Sequence, residues 1–157
     1  MIAEEPWSEE RTRAIVADHS HLEGPLMPIL HAVQETFGCV PEEAVPVIAK
    51  ELNLSRAEVH GVVTFYHDFR REPAGRTVIK VCRAEACQAM GCESLVKRAE
   101  DRLGVACGGT SADGRVTFET VYCLGLCATA PSAMVDGRIV GRLDPAKLDK
   151  ILAEAGA

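Results

Sequence analysis

The residues best equipped for chemistry in this chain are cysteines. There are 7 of them, and four fall into two tight pairs, Cys82-x4-Cys87 and Cys123-x3-Cys127. Cysteines grouped at short spacings in a chain without the marks of a secreted protein point to metal or redox chemistry rather than to disulfides. The first pair begins where a β-branched run, Thr77-Val78-Ile79-Lys80-Val81, gives way to a helical stretch. The second pair follows a similar run, Val116 to Val121. If these runs are parallel neighbours, both pairs emerge at the same end of one sheet. Two pairs of thiolates converging from two loops suit a [2Fe–2S] cluster, which takes two sulfurs on each iron.

Spacing alone leaves alternatives. A structural four-cysteine zinc site accepts such pairs, and buried packing cysteines are the plainest reading of all. A thioredoxin-type dithiol would use Cys-x-x-Cys, a spacing that does not occur in this chain. Gly125, within Cys123-Leu124-Gly125-Leu126-Cys127, gives the second loop the freedom to turn its amides inward. That matters because four thiolates, two ferric irons and two sulfides form a dianion that becomes a trianion on reduction. Backbone N–H groups and helix N-termini near the sulfurs oppose that charge. Lys80 and Arg83 flank Cys82, and Leu124, Leu126 and Pro131 are placed to limit water access.

Cys92 continues the series as Cys82-x4-Cys87-x4-Cys92. A single helix from Cys87 to Leu103 would point it away from a site at the strand ends. Cys39 and Cys107 read as incidental. His19, His21, His31, His60 and His67 form no ligand cluster. No nucleophile–base motif, P-loop or dinucleotide fingerprint is present, and Gly108-Gly109 alone is too weak for a phosphate site.

The elements that must position the cysteines fall in two stretches. Residues 1–72 read as a helical domain. Ser8 caps a helix with Ala14, Ile15 and Ala17 as its apolar positions, and Pro25 suits a first helical turn. Leu26, Ile29, Leu30, Val33 and Phe37 mark one helix face, stopped by Gly38. Pro41 opens a third helix, with Glu42 and Glu43 in its first turn and Ala44, Val45, Ile48 and Leu52 inward. Ser55 with Glu58 forms a capping box ahead of a face made by Val59, Val62, Val63 and Tyr66. Short connections predict a small antiparallel bundle.

Arg70-Arg71-Glu72-Pro73-Ala74-Gly75 reads as a linker, and residues 76–157 as an α/β domain. Its order is close to β-α-β-β-β-α, with Asp136-Gly137 as a hairpin turn and Pro145 opening a last helix that buries Leu148, Ile151 and Leu152. The fold class is therefore α/β, a helical bundle followed by a small sheet covered by two helices.

The bulk properties allow this. Of 157 residues, 47% are apolar and 25% charged, a balance that supports a core without cysteine staples. Residues 1–72 carry 6 basic and 13 acidic groups, and residues 73–157 carry 11 and 10, so there is no basic footprint for nucleic acid. No run of about 18 apolar residues indicates a membrane span. The acidic start, Met1-Ile2-Ala3-Glu4-Glu5-Pro6, is unlike a secretory signal and predicts a cytoplasmic protein.

Taken together, Cys82-x4-Cys87 and Cys123-Leu124-Gly125-x-Cys127-x3-Pro131 resemble the thioredoxin-like [2Fe–2S] ferredoxin subunit of respiratory complex I and its relatives. Leu26-x-Pro28-Ile29-Leu30-His31-x-Val33-Gln34, Phe37-Gly38-x-Val40-Pro41 and Val59-x-Gly61-Val62-x-Thr64-Phe65-Tyr66 are similar to that family's helical segment. The resemblance spans roughly residues 22–155. It implies a thioredoxin-like fold behind the helical domain, and one [2Fe–2S] cluster on Cys82, Cys87, Cys123 and Cys127. It also implies a partner subunit that binds FMN and NAD, onto which the first helices dock. Arg83-Ala84-Glu85-Ala86-Cys87-Gln88 and the compact length look most like the gamma subunit of soluble NAD-dependent formate dehydrogenases. There the molybdenum cofactor lies on a large partner subunit, and this chain alone turns nothing over. Complex I and NAD-linked hydrogenases are the other branches of the family.

Overall fold

The computed structural model describes residues 5–156. The chain divides between Pro73 and Ala74 into two compact units.

The first unit is helical: α1 (Glu9–His19), α2 (Leu26–Phe37), α3 (Ala44–Glu51) and α4 (Arg56–Phe65). Its core holds Ile29, Leu30, Val33 and Phe37 of α2, Ile48 of α3 and Val59 of α4, the positions that the helical periodicity marks. Gly38 ends α2 in the left-handed region (φ 78°), and the Ser55–Glu58 capping box is formed reciprocally. Several expectations shift. α1 buries Thr12, Ile15 and Val16 rather than Ala14 and Ala17. Pro25 is the N-cap of α2 instead of a residue of its first turn. α3 starts at Ala44, because Pro41–Glu43 form a separate turn whose carbonyls accept from Ala44 and Val45 N–H at 3.0 and 3.2 Å. Tyr66 lies past the end of α4 and is exposed.

The second unit runs β1 (Thr77–Cys82), α5 (Glu85–Ala89), α6 (Cys92–Leu103), β2 (Gly109–Thr110), β3 (Val116–Val121), β4 (Ala133–Val135), β5 (Arg138–Val140) and α7 (Pro145–Glu154). The sheet order is β2-β3-β1-β4-β5. β1 is central and parallel to β3, and the other pairings are antiparallel. β-branched residues dominate β1 and β3, as suits buried strands. Ile79, Val81, Val116 and Phe118 meet Leu95, Val96 and Ala99 of α6 and Leu148 and Leu152 of α7 in one core. Asp136 and Gly137 both have positive φ (47° and 82°), the geometry of a two-residue hairpin turn matched to strand twist.

Two features depart from the sequence reading. The helix expected from Cys87 to Leu103 is broken: Gly91, at φ 83°, turns the chain between α5 and α6, a conformation that glycine adopts without steric penalty. Gly109 and Thr110, for which the pattern offers no strand signal, form an edge strand on β3.

Candidate metal centre

The parallel register pairs Cys82 with Val121, so β1 and β3 release the chain at the same edge. Arg83 N–H extends the ladder to the Val121 carbonyl at 2.9 Å. Cys82 ends β1, Cys87 lies in α5, Cys123 follows β3 by two residues, and Cys127 opens a 3₁₀ turn, Cys127–Thr129. The topology therefore brings both pairs to one end of the sheet.

The two loops touch at Cys82. Burial opposes a charged sulfur there, but backbone N–H groups of Ala84, Cys123 and Leu124, with the Cys87 thiol, outweigh it and hold the Cys82 pKa below the ordinary thiol value. Cys123 and Cys127 have their sulfurs 3.7 Å apart. A tetrahedral metal with metal–sulfur bonds of about 2.3 Å holds two thiolates about 3.8 Å apart, so this pair is already spaced to share one ion. The Cys127 thiol is held above its ordinary pKa by its hydrogen bond to Cys123 and by the charge there, then by burial and by the Cys87 and Cys82 sulfurs. The Cys127 sulfur thus lies within the field of the other three. Among the described residues, no three His, Cys, Asp or Glu side chains are gathered to hold a single metal ion. Cys123 and Cys127 form one close pair of sulfurs, and Cys82 and Cys87 lie together in a buried cluster; a two-iron cluster takes two thiolates on each iron.

The second loop is shaped by backbone conformation. Cys123 has φ 85° and Gly125 φ 77°. A non-glycine residue in this region is uncommon and strained, and such residues gather at functional sites. The conformation turns consecutive N–H groups inward, forming an anion-binding concavity. Gly125 N–H reaches Cys123 Sγ at 3.4 Å, and the Cys123 and Leu124 N–H groups face Cys82.

The flanking cations are engaged elsewhere. Arg83 makes a bidentate pair with Glu93 at 2.8 and 2.7 Å, and Lys80 lies 3.7 Å from Glu119. Each is largely neutralised by its partner. Leu124 and Leu126 are half-buried and Pro131 is buried, while Tyr122 and Met90 are exposed.

Cys92 does not point away. The break at Gly91 makes it the first residue of α6, and it packs, fully buried, with Cys82 and Cys87. Burial first, then the charges of Glu93, Cys87 and Cys82, raise its pKa against the pull of Arg83, so it stays a neutral thiol. Cys107 is half-buried on the loop before β2, its N–H held by Glu100 at 2.9 Å. Cys39 is buried in the helical unit. The histidines stay scattered: His19 Nδ1 lies 2.8 Å from the Ile15 carbonyl, and the His31 ring sits against Phe69.

One residue that the sequence reading missed lies at the centre of this site. Ser132 is 1% exposed, its Oγ lies 3.6 Å from Cys87 Sγ, and its carbonyl accepts the Cys82 N–H at 2.9 Å. The available signal was a polar residue between Pro131 and the apolar strand that follows.

The model of the thioredoxin-like [2Fe–2S] ferredoxin family matches residues 12–156. The chain belongs to this family. As a thioredoxin-like [2Fe–2S] ferredoxin it is an electron-transfer protein carrying one [2Fe–2S] cluster, and the zinc alternative that spacing left open is set aside. Among its relatives is the HndA component of the NADP-reducing hydrogenase of Solidesulfovibrio fructosivorans, 37% identical over 84% of this chain and 77% of that protein. Another is a component of the NADH-quinone oxidoreductase of Pseudomonas aeruginosa, 38% identical over 92% of this chain and 89% of that one. The fold matches the crystal structure of an NAD+-reducing [NiFe]-hydrogenase in its air-oxidised state with a TM-score of 0.72 at 25% identity, over 83% of this chain. The ferredoxin spans 22% of that hydrogenase chain. Among the described residues, no helix is long and apolar enough to cross a membrane.

Proposed function

We propose that Cys82, Cys87, Cys123 and Cys127 hold the cluster, and that this ferredoxin is the electron-transfer subunit of a cytoplasmic NAD-linked oxidoreductase. The observation that carries this reading is that parallel β1 and β3 bring both loops to one end of the sheet, with Leu124 of the second loop packed against Cys82 and Cys87 and the Cys123 and Cys127 sulfurs 3.7 Å apart. A bound cluster supplies one-electron chemistry, taking and returning a single electron at a time. The chain's own residues hold the four sulfurs, stabilise their charge with inward amides, and shield the Cys82–Cys87 side from water. Hydride chemistry belongs to a partner that binds FMN and NAD, on which the helical unit (residues 1–72) docks.

The finer reading is the gamma subunit of an NAD-dependent formate dehydrogenase, in complex with its molybdenum-containing large subunit. Arg83-Ala84-Glu85-Ala86-Cys87-Gln88 and the compact length support it. A second reading, the equivalent subunit of an NADH-quinone oxidoreductase or a hydrogenase, is favoured by the names of the relatives.

Anaerobic purification, with iron and sulfide quantified and EPR recorded after reduction, tests the ligand set. Iron and acid-labile sulfide in equal amounts, lost when any one of the four cysteines becomes alanine, are expected. A full cluster retained in any one of these variants overturns the assignment. Purifying the chain with its partners and supplying formate or hydrogen then separates the two readings: reduction of the cluster by formate supports the first, and reduction by hydrogen, or by NADH but by neither of these, supports the second.

A further inference from the structure

Ser132 connects the two buried cysteines. It sits between buried Pro131 and β4, where Ala133 is paired with Val81 of β1. Its backbone carbonyl takes the Cys82 N–H, and the residue is 1% exposed, with its hydroxyl 3.6 Å from Cys87 Sγ. In the metal-free chain either group is able to donate. A sulfur bound to iron carries no proton, so in the loaded protein the hydroxyl is the donor and the sulfur the acceptor.

We propose that Ser132 is a positioning residue whose O–H···S bond to Cys87 helps to set the reduction potential. This rests on Cys87 being a ligand. Hydrogen bonds to cluster sulfurs, net charge and exposure are the levers that set an iron–sulfur potential. Charge on the sulfurs rises on reduction, so a donor there binds the reduced state more tightly and raises the potential. Burial strengthens the effect, because no water competes for Cys87 and the local dielectric is low. On the other pair, Cys123 and Cys127 are exposed, and any comparable hydroxyl there would compete with solvent.

The test uses the full chain with its cluster. Ser132→Ala is expected to keep its iron and sulfide while the equilibrium constant for reduction falls about tenfold, which is about 59 mV for one electron. Ser132→Thr, which keeps the hydroxyl, is expected to return most of that shift. In D2O, pulsed EPR of the reduced wild type should show an exchangeable deuteron coupled to the cluster that Ser132→Ala lacks. An unmoved potential in a fully loaded Ser132→Ala protein overturns the proposal. Should that variant not retain its cluster, Ser132→Thr is compared with its isostere Ser132→Val, and equal potentials overturn it as well. Cys87→Ala separates the two levels. Loss of the cluster there, with an unmoved Ser132→Ala potential, rejects the role of Ser132 and leaves the ligand set standing. A full cluster in Cys87→Ala rejects the ligand set itself.

Discussion

The two cysteine pairs use the same chemistry and are positioned by opposite means. Cys82 and Cys87 are each 2% exposed and sit in a small buried cluster with Cys92, Val121 and Leu124. Their place is fixed by packing against the central strand of the sheet and by hydrogen bonds to Ser132. Cys123 and Cys127 are exposed, on a loop whose shape comes from two left-handed residues rather than from burial. Placing sulfurs in a core dehydrates them, which disfavours charge unless donors are supplied. Placing them on a loop leaves them solvated but dependent on backbone conformation. One half of the site is thus bound to the stability of the fold, and the other to the geometry of a turn.

Single alanine substitutions should break this symmetry most strongly. In the metal-free protein, Cys87→Ala removes a buried sulfur and leaves the Ser132 hydroxyl without its partner, and an orphaned buried polar group costs about 1–3 kcal/mol. Cys127→Ala, on the exposed pair, should stay close to wild type, as surface substitutions do. Thermal melting of the two metal-free variants checks this, the first falling by several degrees and the second scarcely moving. Equal losses would mean that the two pairs are held alike. Alkylation of native metal-free protein gives an independent reading: Cys123 and Cys127 should react first, and Cys39, Cys82, Cys87 and Cys92 last.

The same contrast governs what was legible in the sequence. β1, β3, the Asp136-Gly137 hairpin and α7 were readable because each depends on local pattern and turn chemistry. The convergence of the pairs was readable only conditionally, since it requires β1 and β3 to be parallel neighbours, a non-local fact. Two features of the buried pair were not readable. Gly91 sits inside a helical pattern, where a glycine is often tolerated. Its left-handed turn, which brings Cys92 back beneath Cys82 and Cys87, is chosen by tertiary packing. Ser132 is an ordinary residue type whose importance comes from a sulfur 45 positions earlier in the chain. On the exposed pair, Gly125 marked the turn, but the positive φ of Cys123 had no sequence signal, because residue type argues against it.

A smaller perturbation addresses the exposed pair alone. Gly125 has φ 77° and open space where a Cβ would stand, so Gly125→Ala introduces no clash and only the conformational penalty of an L-residue there, about 1–2 kcal/mol. The strain falls on the loop that holds Cys123 and Cys127. The expected result is faster release of iron to a chelator, with the melting temperature of the metal-free protein changed less than by Cys87→Ala. Iron release at the wild-type rate would show that the loop is held by contacts outside its own backbone.

The smallest expected effect reaches the buried pair from a distance. α6 begins at Cys92, beneath Cys82 and Cys87, and carries Arg98 and Arg102, which pair with Asp149 of α7 at 2.6 and 3.4 Å. The hydrogen bond from Arg98 is the largest cause; burial opposes it, the charges of Arg98 and Arg102 add to it, and the net effect holds the Asp149 carboxyl below its ordinary pKa. A carboxyl with a depressed folded-state pKa contributes stability above its unfolded value, about 3.9. That contribution is lost as pH falls through the lower folded value. Asp149→Asn should therefore melt slightly below wild type at neutral pH, and the gap should narrow below about pH 4 and close in stronger acid. Because the pair is solvent-exposed, salt should shrink the gap too. Since the clamp fastens α7 to the helix whose first residue packs against Cys82 and Cys87, its loss should raise the alkylation rate of Cys87 and leave that of Cys127 unchanged. A variant that sped both equally would mean that the two pairs share one support, and the division between packing and turn geometry would fail.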